Sequence, residues 1–177
     1  SFDVCVANPP YFSPHTGRVA EGSRGVQRAE LQCTMDELCA AAAHTAAGSD
    51  AAAHAIMTTD TVKKELAVET VIGGKTVRMG GIAKGSGMIH PNMATMLVFI
   101  TTDCAISPAM LQKALSTDIA NTFNMVSVDG DTSTNDMVTV LANGLAGNAE
   151  ITEEGADFTA FMQALNTVTV YLCRCIA

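Results

Sequence analysis

Basic residues are scarce in this sequence: ten Lys and Arg stand against 18 Asp and Glu in 177 residues, for a formal net charge of -8. Clustered Lys and Arg are what displace counterions from a phosphate backbone, and their absence here argues against a nucleic-acid-binding surface. Long apolar runs are missing too. The longest, such as MLVFI at 96–100, falls far short of the roughly 20 residues a bilayer span requires, so a soluble protein is expected. No basic and apolar leader opens the chain. It starts inside what looks like a strand, SFDVCVANPP, which suggests a missing N-terminal portion. The CxxC spacing of a zinc site is absent as well: Cys5, Cys33, Cys39, Cys104, Cys173 and Cys175 are scattered among apolar neighbours. Buried, reduced thiols and a reducing cytoplasm are the expectation, with no metal.

What is present is a sequence rich enough in apolar residues, 48% against 16% charged, to bury the core of one ordinary domain or a domain plus a fragment. Two halves of different character meet between Ala41 and Ser49. In the first, FDVCVA at 2–7 is a short β-rich run stopped by Asn8-Pro9-Pro10, because proline cannot continue a ladder. Thr34 with Glu37 three residues later forms a capping box at the start of a helix. The alanine-rich stretch 40–55 favours helix but carries few large side chains to specify its packing.

The second half is more patterned. LAVETVI at 66–72 and TVRMGGI at 76–82 flank Gly73-Gly74 and predict a β-hairpin whose tight turn uses the positive φ values of glycine. MLVFITT at 96–102 predicts a buried strand, and MVSV at 125–128 and MVTVLA at 137–142 two more. Ser107-Pro108 predicts an N-cap followed by proline at the first helical position, opening a helix with Leu111, Leu115, Ile119 and Phe123 on its apolar face. Phe158, Phe161, Met162, Leu165, Val168, Leu172 and Ile176 predict one apolar face of a long final helix. Strands and helices in this order predict an α/β (α+β) fold, a layered sheet-and-helix sandwich.

The chemistry concentrates in KGSGMIHPNMATMLVF at 84–99. Here a glycine loop and a rigid His90-Pro91-Asn92 turn lead to small Ala94 and Thr95 at the mouth of a strand. A hydroxyl on a strand end beside open backbone N–H groups suits a nucleophile with an oxyanion site, although the same residues also describe a loop and a core-facing threonine.

The segments AIMTTDT at 55–61, GGIAKGSGMIHPNMATMLVFITTD at 80–103 and FNMVSVDGDTSTNDM at 123–137 resemble, in order and spacing, the most distinctive stretches of the ornithine acetyltransferase (glutamate N-acetyltransferase) family. The resemblance covers about residues 49–177. It implies that the chain cuts itself between Ala94 and Thr95, and that Thr95 then carries an acetyl group from N-acetylornithine to glutamate, in arginine biosynthesis. By the same resemblance Thr61 and Lys84 bind substrate, no cofactor is used, and cut chains associate in a homo-oligomer. Asp129, Asp131 and Asp136 are expected to build turns that support the site, since a calcium loop would need a closing Glu, and His90 to be a turn residue.

Two parts of the family pattern are not matched. Residues 20–35, where a Thr-Gly oxyanion pair would fall, read AEGSRGVQRAELQCTM, and the family's acidic substrate residue would lie beyond Ala177. The fold is therefore expected to be truncated at both ends, with transferase activity impaired. Residues 1–46 instead resemble the NPPY region of tRNA adenine-N6 methyltransferases, in which Asn8, Pro9, Pro10 and Tyr11 would hold and stack on an adenine. The expected organisation is thus a methyltransferase-like fragment at 1–46 joined to a partial acetyltransferase domain at 47–177, a chimera. An inactive fragment, or an S-adenosylmethionine-dependent module, is the alternative.

Overall fold

A computed structural model describes residues 4–8, 46–58, 60–85, 96–126 and 136–176. Its elements are β1 (Val4–Asn8), α1 (Ala46–Ala55), β2 (Lys64–Ile72), β3 (Lys75–Lys84), β4 (Leu97–Thr102), α2 (Pro108–Ile119), a 3-10 turn (Phe123–Met125), β5 (Met137–Ala142) and α3 (Ala156–Ile176). The capping box at Thr34 and Glu37 lies outside the described residues.

The strands form one five-stranded mixed sheet in the order β1-β5-β4-β3-β2. The β2–β3 hairpin turns through Gly73 (φ 55°) and Gly74 (φ 74°), values that L side chains rarely adopt. β3 and β4 continue antiparallel, while β4 and β5 run parallel. A parallel pair needs a crossover, and α2 lies within it. Helix α2 begins where Ser107 Oγ accepts the Met110 N–H at 3.4 Å with Pro108 in the first turn, so two of the orphan donors of a helix start are dealt with locally. Strand β1 closes the other edge, antiparallel to β5, with Asn8 opposite Val138.

Period-two alternation divides the sheet into two faces. One presents Met79, Ala83, Val98, Ile100, Val138 and Val140 to α2 and to Phe161, Leu165, Val168 and Leu172 of α3 in a continuous buried core. The other carries Ile82, Phe99 and Leu141, which pack against Ala52 and Ala53 of α1. Small alanines there let the helix lie close to the sheet. On the first face Gly81 does the same for α3, since a Cβ at Gly81 would stand 2.8 Å from Val168 Cγ1.

Of the expected strand at 125–128, residues 127 and 128 lie outside the described residues, and Met125 belongs to a 3-10 turn. Phe123–Met125 is a 3-10 turn closed by Met125 N–H to Thr122 O (2.9 Å) and Val126 N–H to Phe123 O (3.1 Å). Phe123 is buried and Met125 is 71% exposed; an apolar residue turned to solvent has no neighbouring strand to pack on. Among the described residues no helix is long and apolar enough to cross a membrane.

Candidate active site

Strand ends assemble the site. β3 finishes at Lys84, which lies opposite Leu97, so the end of β3 and the start of β4 are neighbours. β5 starts beside β4, with Met137 opposite Leu97. The turn following α1 reaches the same end of the sheet through three contacts. Lys84 Nζ donates to Thr58 Oγ1 at 2.8 Å. The Gly85 N–H donates to Asp60 Oδ1 at 3.0 Å, and Lys64 Nζ donates to the same carboxylate at 2.5 Å.

Asp60 is the electrostatic centre of this arrangement. Its side chain is 1% exposed and that of Lys64 8%. Burial alone would raise the Asp60 carboxyl. The hydrogen bonds from Lys64 and from the Gly85 and Thr58 amides outweigh that cost and hold it below its ordinary value of 3.8, so it is an anion at neutral pH.

At the neighbouring strand end a second carboxylate takes the same part. The Met96 N–H donates to Asp136 Oδ1 at 3.0 Å, and the Met137 N–H returns to Met96 O at 2.9 Å. Met96, Phe123, Asn124, Asp136 and Met137 line a small recess of about 60 Å³ beside this clamp.

Of the residues singled out in the sequence, Lys84 and Thr61 are described, but the threonine hydroxyl that Lys84 bonds is that of Thr58. Lys84 is half-buried and Thr61 exposed, and the Asp60–Gly85 hydrogen bond lies between them, one chain position from each. Asp136, expected to build a turn, instead accepts a hydrogen bond from Met96, 40 residues away, just before β4. Ala94, Thr95, His90, Asp129 and Asp131 lie outside the described residues, as do Pro9, Pro10 and Tyr11. Asn8 ends β1 beside the start of β5.

Sequence reasoning passed over Asp60 and Thr58. The available signal was an Asp four residues before Lys64, a spacing suited to an ion pair, but nothing in the sequence marks that pair as buried. Cys104 and Cys173 are both buried. Burial pushes the Cys104 and Cys173 thiols up to about 12, where the reactive thiolate is negligible at neutral pH. Among the described residues no three His, Cys, Asp or Glu side chains stand close enough to hold a metal ion.

Comparison with known proteins identifies relatives of this chain. A model of the ArgJ family matches residues 11–177, a span that crosses the expected boundary at 46/47. The "Arginine biosynthesis bifunctional protein ArgJ" of Symbiobacterium thermophilum is 57% identical over 138 residues, covering 78% of this chain and 34% of the relative. The protein of the same name from Listeria monocytogenes is 57% identical over 123 residues, covering 70% of this chain and 31% of the relative. That from Synechocystis is 57% identical over 130 residues, covering 73% and 32%. This chain thus spans about a third of the length of the curated relatives it matches.

Proposed function

This chain belongs to the ArgJ family, and from that membership we propose that it carries the self-cleaving nucleophile of an acetyltransferase, with Thr95 moving acetyl from N-acetylornithine to glutamate. The observation that supports this most is the meeting at one sheet end of Lys84, at the end of β3, and Met96, the residue that follows Thr95 and precedes β4.

The chemistry balances without a coenzyme. Thr95 Oγ attacks the Ala94 carbonyl carbon, the Ala94–Thr95 C–N bond breaks, and the hydroxyl proton passes to the nitrogen. Water then hydrolyses the ester, leaving an Ala94 carboxylate and restoring the hydroxyl. The freed α-amine has an ordinary pKa of about 7.7 to 8.0, near working pH, and so supplies the base an internal threonine lacks. Thr95 Oγ next takes acetyl from the donor amide as an ester, ornithine leaves, and the glutamate amine takes the acetyl in a ping-pong exchange.

Lys84 provides a point charge for a substrate carboxylate. Its hydrogen bond to Thr58 Oγ1 tethers the ammonium at the strand end. The partners are small molecules, and the cut chains associate as a homo-oligomer in the cytoplasm. Incubating the chain with N-acetylornithine and isotopically labelled glutamate tests the proposal. Labelled N-acetylglutamate is the expected product, and its absence from a chain that has cut itself would refute the transfer step.

A further inference from the structure

The ten residues that include Ala94 and Thr95 join the sheet at Gly85 and at Met96, and these two junctions are built alike. At each, a backbone N–H donates to an aspartate Oδ1 at 3.0 Å: Gly85 to Asp60, Met96 to Asp136. The junctions also touch, since a Cβ at Gly85 would lie 3.8 Å from Met96 Cα. The carboxylates come from elements distant in sequence, 25 residues away in one case and 40 in the other. Neither is a local turn bond.

We propose that Asp60 and Asp136 are positioning residues for self-cleavage, paired carboxylate clamps that fix both ends of the segment bearing the Ala94–Thr95 bond. This rests on the reading of Thr95 as the self-cleaving nucleophile. The Met96 N–H belongs to the planar peptide unit that contains the Thr95 carbonyl. Asp136 fastens the Met96 N–H and the Met137 N–H fastens the Met96 carbonyl, so the backbone is anchored one residue after the scissile bond. Attack on the carbonyl of the preceding residue depends on how that backbone is held, and misplacement by about 1 Å costs on the order of 10²-fold in rate.

Asp60 strengthens the inference. Accepting one amide N–H does not require a buried ion pair, yet this carboxylate is kept charged in the interior by Lys64. A charged acceptor binds an amide more strongly than a neutral one, so the Gly85 junction is held more firmly than a neutral acceptor would hold it.

The test follows cleavage by intact mass in the whole chain for wild type, Asp136→Ala, Asp136→Asn, Asp60→Asn and Thr95→Ala, with a melting curve for each. Asn keeps an oxygen that accepts the Met96 N–H. Asp136→Asn is therefore expected to cleave within about threefold of wild type, and Asp136→Ala to cleave at least about tenfold more slowly while still melting cooperatively. Asp60→Asn keeps an acceptor for the Gly85 N–H but leaves Lys64 without its counter-ion, and is expected to slow cleavage through the loss of that charge; wild-type cleavage in it overturns the role of Asp60. Wild-type cleavage in Asp136→Ala overturns the proposal, and so does an equal loss in the Ala and Asn variants that tracks their melting temperatures. Cleavage that persists in Thr95→Ala refutes the underlying reading instead. If the wild type does not cleave, amide hydrogen exchange decides. The Met96 amide is expected to lose at least about tenfold of its protection in Asp136→Ala and to keep it in Asp136→Asn, and equal protection in all three overturns the clamp.

Discussion

Asp60 and Lys64 form an ion pair inside the protein, oxygen to nitrogen at 2.5 Å, with side chains 1% and 8% exposed. Removing one member of such a pair leaves the other charge buried and uncompensated, at a cost of about 3 to 5 kcal/mol. Asp60→Ala is therefore expected to lower the urea-unfolding free energy by that order. The double variant Asp60→Asn with Lys64→Met should recover most of it. A loss under about 1 kcal/mol in Asp60→Ala would mean that water reaches the pair.

The same pair sets an acid limit. The Asp60 carboxyl is lower in the fold than its ordinary 3.8, so the unfolded chain binds its proton first as pH falls. Its contribution is fully present well above pH 4 and fades as pH drops through the folded value. Urea midpoints measured from pH 6 down to pH 3 should fall, and the fall should be shallower in the double variant. Identical slopes would remove Asp60 as the cause.

Gly81 faces α3 across a gap that a methyl group would overfill: its Cβ would meet Val168 Cγ1 at 2.8 Å and Leu172 Cδ1 at 3.0 Å, and both side chains are fully buried. Valine is stiff at χ1 and has nowhere to swing. Gly81→Ala is expected to destabilise by about 1 to 3 kcal/mol. Gly80→Ala serves as the control, because its Cβ would find only ordinary contact with Ala67 at 3.8 Å. Equal urea midpoints for the two variants would contradict the packing described.

Thr139 sits in β5 at 1% exposure, and its hydroxyl has no hydrogen-bond partner among the described residues. A buried, unsatisfied hydroxyl costs about 1 to 3 kcal/mol, so Thr139→Val, nearly the same shape, should raise stability by on the order of 1 kcal/mol. A lower melting temperature would show that the hydroxyl is bonded after all.

Local signals carried the elements. The Gly73-Gly74 turn, the Ser107-Pro108 cap and the apolar stripe of α3 each act within a few residues, and each is where the sequence places it. Met125 shows the limit of such signals, since a short apolar run suits a strand and the exit of a helix equally. The order β1-β5-β4-β3-β2 has no local signature, because it depends on pairings between residues far apart in sequence. Lys84 was singled out through a motif, and the fold sets it at the end of β3. Asp60 was not, because a charged residue reads as surface until the fold surrounds it.

The central claim is that Thr95 cuts the chain before itself and then carries acetyl, and intact mass spectrometry of wild type, Thr95→Ala and Thr95→Ser tests it most directly. Wild type should yield one fragment ending at Ala94 and another starting at Thr95, and N-acetylornithine should add one acetyl group to the second. Thr95→Ser, which keeps the hydroxyl and the latent amine, should retain part of both steps. Thr95→Ala should remain one uncut, unacetylated chain with stability changed by only about 1 kcal/mol. Fragments of the same masses, apart from the substitution, appearing in Thr95→Ala at the wild-type rate would contradict the account.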